Sequence, residues 1–194
     1  YKMRIFMKIA VIFPGIGYTA DKPLLYYARR IAENHGYEIK EISFSGFPSK
    51  VKGDRSKMVE SFNIALKQAE DSLKEIAFSV YSDVVFIGKS IGTIVAAKLA
   101  SENPSKDKIR LVLYTPLEDT FSFEIGNAIV FTGSADPWVG GEKSRIPEMC
   151  KVQNIPYTLI PGGNHSLETN DPERDLKSLC QIMSETEQFV KLRS

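Results

Sequence analysis

The sequence predicts an α/β fold in which a mainly parallel six-stranded sheet carries helices on both faces. Short runs rich in β-branched residues alternate with longer helical patterns along the whole chain. Such alternation requires crossover connections, which are right-handed and make neighbouring strands parallel. The length of 194 residues favours one domain, and neither an internal repeat nor a linker interrupts it. Residues 1–194 are therefore predicted to form a single doubly wound domain.

The predicted strands are short apolar runs, as expected for strands that are buried on both faces of a sheet. The first run, MKIAVIF, is apolar at almost every position. The second shows enough alternation of apolar and polar residues to place it near a sheet edge. The six predicted strands are residues 7–13, 37–44, 83–88, 109–116, 127–133 and 156–162.

Helix boundaries are indicated by capping residues. Asp21 is suited to an N-cap and Pro23 to a first helical turn, so a helix is predicted from there to Gly36. Asp171 and Pro172 mark the start of the last helix in the same way. Further helices are predicted at about residues 58–78, 91–103 and 142–153. One stripe of the last helix is predicted to face the core, namely Leu176, Leu179, Cys180, Met183 and Phe189.

The composition excludes several classes of partner. Lys and Arg total 25 against 24 Asp and Glu, so the net charge is +1 and no global field attracts nucleic acid. No segment approaches the ~18 consecutive apolar residues of a membrane span. The basic and then apolar residues 1–15 are interpreted as a first strand rather than a signal peptide. Cys150 and Cys180 are predicted to be small buried side chains, which fits a reducing cytoplasm. The sequence does not indicate an oligomeric state.

Residues 88–90 read Gly-Lys-Ser, which occurs in two different kinds of site. In a phosphate-binding loop, a glycine is required five positions before Gly88. That position is Asp83, and the four residues after it are predicted strand rather than a loop of amide donors. The phosphate-binding interpretation is therefore rejected.

The second interpretation is the nucleophile turn of a serine hydrolase, G-x-S-x-G between a strand and a helix. Residues 84–100 supply all three parts, with Ser90 between Gly88 and Gly92. A Cβ atom at either glycine would collide with the neighbouring strand or helix. The turn is predicted to expose the Ser90 hydroxyl and to aim the N–H of Ile91 at an oxyanion.

A serine nucleophile needs a base that is oriented by a carboxylate. His165 follows the sixth predicted strand and is the favoured base, since His35 is interpreted as a C-terminal helix cap. The favoured acid is Asp136, after the fifth strand, although an Asp-Pro turn would also explain that residue. Glu118 and Asp119, after the fourth strand, remain rivals for the acid role.

Taken together, these motifs resemble those of the α/β-hydrolases, in particular the small uncapped members related to dienelactone hydrolases and carboxylesterases. The resemblance runs from Met7 to the last helix and depends on GKSIG, FTGSADPWV and GGNHS, in that order. It implies a minimal α/β-hydrolase fold. The connection between the fourth and fifth strands, where relatives insert a lid, is short, which implies that no lid domain is present.

The resemblance also assigns a second oxyanion donor to the loop after the first strand. That donor would be the N–H of Ile16, with Gly17 as the alternative. Many relatives begin this loop with His-Gly, whereas this chain has Pro14-Gly15.

Three further residues are candidates for substrate binding. Tyr18 and Trp138 are expected either to line the acyl site or to pack in the core. Lys89 stands where relatives often carry histidine, tyrosine or glutamate. It is expected either to be solvated or to favour an acidic acyl or leaving group together with basic residues on the same rim, which are Lys50, Lys52, Arg55 and Lys57.

Two other functions are compatible with parts of the sequence. GIGYTA, residues 15–20, has the outline of a dinucleotide-binding turn, but Ala20 precedes the predicted helix and no acidic residue closes the predicted second strand. The second alternative function is that of a binding protein with a hydrolase-like fold and no catalytic activity. The favoured function is a serine hydrolase that cleaves a carboxylic ester or thioester of a small-molecule acyl substrate, with no metal or organic cofactor.

Overall fold

A computed structural model describes residues 7–191 and contains one sheet of six parallel strands. The order across the sheet is β2-β1-β3-β4-β5-β6, and every neighbouring pair is parallel. The doubly wound fold predicted from the sequence is confirmed, including the position of the second strand at an edge. The strands are β1 (Lys8–Phe13), β2 (Tyr37–Glu41), β3 (Asp83–Lys89), β4 (Ile109–Tyr114), β5 (Ala128–Gly133) and β6 (Tyr157–Ile160).

Helices cover both faces of this sheet, so the middle strands are buried on both sides. The helices are α1 (Pro23–Asn34), α2 (Arg55–Leu73), α3 (Ile91–Glu102), α4 (Ile146–Val152) and α5 (Pro172–Lys191). Side chains from α1 and α5 form one core layer with the sheet, and those from α2, α3 and α4 form the other. In residues 7–191 no helix has the length and apolar character needed to span a membrane.

The strand order reverses at β1. The chain leaves β1 outward to β2 and then returns to pair β3 with the other side of β1. The loops that follow β1 and β3 therefore diverge at the carboxyl edge of the sheet, which is where ligands bind in open α/β sheets. We call this edge the carboxyl edge below.

The beginnings of three helices differ from those predicted, and one of them, α4, begins at Ile146 rather than at about residue 142. Helix α1 has Lys22 at its N-cap, and the side chain of Asp21 makes no capping hydrogen bond there. Helix α2 begins earlier than expected because Asp54 caps it, with Oδ1 accepting from the N–H of Lys57 at 3.1 Å. It ends at Leu73, so the predicted extension to residue 78 was wrong.

The predicted apolar stripe of α5 was partly wrong. Leu176 is 65% exposed, and the thiol-bearing Cys180 is exposed rather than buried, unlike Cys150. The helix packs through a stripe shifted around its axis, which includes Thr186. The hydroxyl of Thr186 lies 2.7 Å from that of Tyr114, so a polar residue occupies the centre of the buried face. The buried residues of α5 are Ile182, Thr186, Phe189 and Val190.

A second buried polar group lies at the opposite, amino edge of the sheet. It consists of Tyr37, Asp83 and Arg110, which begin or nearly begin β2, β3 and β4, and we call it the amino-edge cluster. Arg110 binds Asp83 through two hydrogen bonds of 2.6 and 3.2 Å, and Tyr37 donates to the same carboxylate. Arg110 also donates to the carbonyls of Phe189 and Val190, which attaches the end of α5 to the sheet.

Candidate active site

Ser90 lies in a strained turn between β3 and α3, with φ 56° and ψ −123°. This left-handed backbone conformation is costly for a residue other than glycine and is typical of functional turns. The two flanking glycines are required by close backbone contacts. A Cβ at Gly92 would lie 2.2 Å from the carbonyl oxygen of Phe13, and one at Gly88 would lie 2.9 Å from the Cα of Thr93. The turn therefore tolerates no side chain at either position.

His165 lies in the loop after β6, with Nε2 2.8 Å from the Oγ of Ser90. Its loop packs directly on β5, since a Cβ at Gly133 would lie 2.1 Å from the carbonyl oxygen of Gly163. The carbonyl of His165 accepts a hydrogen bond from Thr115 Oγ1 at 3.2 Å. Thr115 itself has a φ of 43° and directly follows β4. Thr115 was not among the site residues predicted from the sequence, although its position directly after a strand was a usable signal.

Asp136 completes a chain of hydrogen bonds, because its Oδ2 lies 2.7 Å from Nδ1 of His165. The Asp136 side chain is fully buried. Its other oxygen, Oδ1, accepts from the N–H of Trp138 at 2.9 Å, and its carbonyl accepts from the N–H of Gly141 at 2.8 Å. These bonds fix the carboxylate and leave Oδ2 for the imidazole.

The two rival carboxylates point elsewhere. Glu118 lies 3.6 Å from Arg145, and Asp119 accepts a hydrogen bond of 2.6 Å from Arg55. Both belong to the connection between β4 and β5, and neither contacts His165. Asp136 is therefore the carboxylate that the fold brings to the imidazole.

The environment of His165 favours the neutral imidazole. Burial is the main cause that lowers the pKa of His165 below its ordinary value, and the hydrogen bond to Asp136 opposes it. The positive charges of Lys89 and Lys52 lower this pKa further. The indole of Trp138 stacks on the imidazole, with ring centroids 5.0 Å apart and planes 22° apart. A neutral imidazole at neutral pH has a free lone pair for a serine proton.

The loop after β1 packs against the serine. Gly15 and Tyr18 exchange two backbone hydrogen bonds, of 3.0 and 3.3 Å, which close a tight turn. A Cβ at Gly15 would lie 3.2 Å from that of Ser90. Within residues 7–191, no acceptor takes the N–H groups predicted as oxyanion donors, which are those of Ile91, Ile16 and Gly17.

Lys89 is not on the rim. Its side chain is 1% exposed, so the sequence-based expectations of a solvated or rim lysine were both wrong. The ammonium lies 4.7 Å from the ring centroid of Tyr18, and burial lowers the pKa of Lys89 to about 7 despite the charges of Asp136 and Glu168. The Tyr18 hydroxyl accepts from the N–H of Leu24 at 3.1 Å. Tyr18 thus covers Lys89 and supports the start of α1.

A cavity of about 570 Å³ opens beside Trp138. Its walls come from residues 51–55 before and at the start of α2, residues 117–119 after β4, and residues 137–140 after Asp136. Met58 and Lys143 complete the lining. The volume is within the usual range for small-molecule sites. Ser90, Asp136 and His165 are not part of this lining, and Trp138, which stacks on the imidazole of His165, connects the cavity to them.

The residues of the dinucleotide motif are arranged differently from a nucleotide-binding turn. Ala20 precedes α1, which begins only at Pro23. Contrary to the sequence-based expectation, β2 does end in an acidic residue, Glu41, but its carboxylate pairs with Arg29 of α1. Among residues 7–191 no three His, Cys, Asp or Glu side chains group in a way that could hold a metal ion.

Comparisons with known proteins agree on the fold. No family model and no curated protein sequence matches the chain. Among solved structures, it is similar to a serine hydrolase without a lid from Xanthomonas campestris, with 13% identity, a TM-score of 0.60 and coverage of 95% of this chain and 81% of that one. An esterase of Pyrococcus furiosus matches at 14% identity and a TM-score of 0.63, covering 97% and 84%.

A third structure, Est1E of Butyrivibrio proteoclasticus with bound ferulic acid, matches at 13% identity and a TM-score of 0.64, covering 97% of this chain and 89% of that one. At these identities the likeness concerns the fold. The observed strand order and the short connection between β4 and β5 agree with it. Residues 7–191 have the α/β-hydrolase fold, and no lid domain is inserted between β4 and β5.

Proposed function

We propose that this protein is a serine hydrolase that cleaves carboxylic esters or thioesters of small-molecule substrates through an acyl-enzyme. The observation that carries the proposal is the continuous chain of hydrogen bonds from Asp136 through His165 to Ser90, with distances of 2.7 and 2.8 Å. These three residue types in this contact order form the apparatus of nucleophilic acyl transfer. The likeness to solved esterases supports the choice of esters as the first substrates to test.

In the acylation step, Ser90 Oγ attacks the substrate carbonyl while Nε2 of His165 accepts the hydroxyl proton. Asp136 accepts the Nδ1–H hydrogen bond and stabilises the imidazolium that forms. The tetrahedral intermediate then collapses, the bond to the alcohol or thiol breaks, and Nε2–H protonates this leaving group. Water attacks the resulting acyl-enzyme with the same proton transfers, which releases the acid and restores the serine.

The oxyanion of each tetrahedral intermediate needs hydrogen-bond donors that are already in place. The N–H of Ile91 is at the first residue of α3, where the helix dipole adds to its effect, and it has no acceptor within residues 7–191. The N–H of Ile16, or of Gly17, is the second donor in this proposal. Loss of one such donor typically slows turnover by ~10²–10³.

Labelling with a fluorophosphonate tests the nucleophile. We expect the wild type to be labelled and to hydrolyse short p-nitrophenyl esters, and Ser90→Ala to lose both, with a fall in kcat of at least about 10³. Ser90→Ala should keep its fold, which circular dichroism checks. Equal labelling of the two proteins would reject Ser90 as the nucleophile, and an unlabelled, inert wild type would favour a binding protein without activity.

A series of acyl esters and thioesters of increasing chain length would then define the substrate class. Thermal stability with added NAD(H) or NADP(H) tests the oxidoreductase alternative. A rise in melting temperature with either nucleotide would support that alternative instead of the hydrolase.

A further inference from the structure

The lining of the Trp138 cavity holds three carboxylates and three cationic side chains, but these charges are not all paired with one another. Its three carboxylates all have positively charged or N–H partners outside or at the edge of the cavity. Asp119 pairs with Arg55 and Glu118 with Arg145. The third, Asp54, caps α2 and lies 4.0 Å from Lys57 Nζ, which itself donates to a backbone carbonyl.

Two ammonium groups in the lining have no such partner. Lys52 and Lys143 are exposed, and neither forms an ion pair or a side-chain hydrogen bond with any residue from 7 to 191. The charge of Lys52 reaches the catalytic region, since it contributes to the lowered pKa of His165. Lys143 belongs to the short helical turn Gly141–Lys143, which follows the loop of Asp136. The pair thus adds two unpaired positive charges to the lining of the cavity.

The remaining lining of the cavity is largely apolar. Val51 and Val139 are buried side chains, and Met58 and Trp138 pack partly against the core. A group with an apolar body and a negatively charged end would match this arrangement, because the body would cover apolar surface and the charge would meet the two ammonium groups. Four basic residues were predicted from the sequence to lie on this rim, and of these Lys52 lies in the cavity lining with an unpaired charge. Lys143 was not predicted.

We propose that the Trp138 cavity selects esters or thioesters whose acyl or leaving group ends in an anion, with Lys52 and Lys143 as the residues that determine this specificity. This inference rests on the proposed function. The anion is a carboxylate or phosphate on a small molecule, since lysine ammonium groups act on either as point charges.

Matched esters test the preference on each side of the scissile bond. The acyl pair is p-nitrophenyl hydrogen adipate and p-nitrophenyl hexanoate, which share a six-carbon acyl chain. The leaving-group pair is 4-(carboxymethyl)phenyl acetate and 4-ethylphenyl acetate, which each contain one ester bond and release phenols of similar acidity. In one of the pairs we expect kcat/KM to be about fivefold higher for the anionic ester at low ionic strength, as two exposed charge pairs of ordinary strength would produce. The pair that shows the preference identifies the side of the substrate that enters the cavity.

The double variant Lys52→Met/Lys143→Met should bring the two esters of that pair to similar kcat/KM values. Lys67→Met is the matched control, because Lys67 is an exposed lysine on α2 outside the cavity, and it should keep the preference. Added salt provides a readout on the unmodified protein, since screening in 0.5 M NaCl should remove most of the preference.

The outcomes separate this inference from the proposed function. Ser90-dependent cleavage of the neutral esters without any preference for the anionic ones would overturn the inference and leave the hydrolase intact. A preference that survives in the double variant would also overturn it. If no ester is cleaved and fluorophosphonate does not label Ser90, the proposed function fails and the inference fails with it.

Discussion

Two carboxylates are buried at opposite edges of the same parallel sheet, and their partners differ. Asp136 at the carboxyl edge is 0% exposed, and Asp83 at the amino edge is 3% exposed. Asp83 binds the guanidinium of Arg110, which is charged at every accessible pH, and the hydroxyl of Tyr37. Asp136 binds His165, whose imidazole can accept and release a proton.

This difference in partners separates two roles: the amino-edge cluster stabilises the fold, and the group at the carboxyl edge takes part in the proposed reaction. In the amino-edge cluster no proton has to move, because burial and the hydrogen bond to Asp83 raise the pKa of Tyr37. The cluster also holds the last carbonyls of α5. At the carboxyl edge the partner accepts a proton during the proposed reaction. A buried carboxylate can therefore stabilise the fold or assist proton transfer, and the residue that it binds determines which of the two roles it has. Each of the following experiments tests one side of this contrast.

The largest effect is expected for Asp136→Asn. The amide would change the tautomer of His165 and could not stabilise the imidazolium, so kcat for ester hydrolysis should fall by about 10⁴. Steady-state kinetics measure the loss, and thermal unfolding should change much less than activity does. As a contrast, Asp119→Asn, which alters a rival carboxylate, should cause a far smaller loss. Equal losses in both variants would contradict the assignment of the acid.

Asp83→Asn should lower stability and leave activity nearly unchanged, which is the reverse of the result expected for Asp136→Asn. Removing one charge of a buried ion pair leaves Arg110 uncompensated, so the free energy of unfolding should fall by about 3 kcal/mol. Activity per folded molecule should be close to that of the wild type, because the cluster lies at the far edge of the sheet. Urea denaturation gives the free energy. Glu173→Gln, which breaks an exposed pair with Lys177, is the control and should change stability by less than about 0.5 kcal/mol.

Lys89→Met should stabilise the protein at pH 7, by an amount that the shift in the pKa of Lys89 limits to about 4 kcal/mol. The pKa of Lys89 is about 7 in the folded protein and 10.5 without the fold, so the charged form is disfavoured by folding. This destabilisation is complete below about pH 7 and disappears as the pH rises towards 10.5. The difference in unfolding free energy between variant and wild type should therefore shrink over that pH range. A constant difference would show that Lys89 is not buried as an ammonium.

The smallest effect concerns the pH dependence of catalysis. Because the pKa of His165 is lowered, kcat/KM should rise with pH along an acid limb whose midpoint is below 6.5, the ordinary value for histidine. Lys89→Met removes a positive charge that lowers this pKa, so the limb should move to higher pH by less than about one unit. A pH–rate profile on a p-nitrophenyl ester measures both midpoints. A shift to lower pH in the variant would contradict the described electrostatics.

The sequence predicted features that follow from local pattern and chain order. Strand ends, the glycines beside Ser90, and the positions of Asp136 and His165 after their strands are all readable along the chain. The partners of Asp83 and Arg110 are not, since they come from elements far apart in sequence. The burial of Lys89 depends on how the Tyr18 turn folds over it, and the buried face of α5 depends on the hydroxyl of Thr186. For Lys89 and α5, tertiary contacts rather than the local sequence pattern determine which side chains are buried.

The backbone of Ser90 has a consequence for the evolution of this fold. A residue with φ 56° and ψ −123° is held against its own conformational preference, and glycine would adopt the same conformation without that penalty. Ser90→Gly would therefore yield a more stable protein that lacks the proposed nucleophile. In the proposed enzyme, selection for thermal stability and selection for turnover would act on this one position in opposite directions.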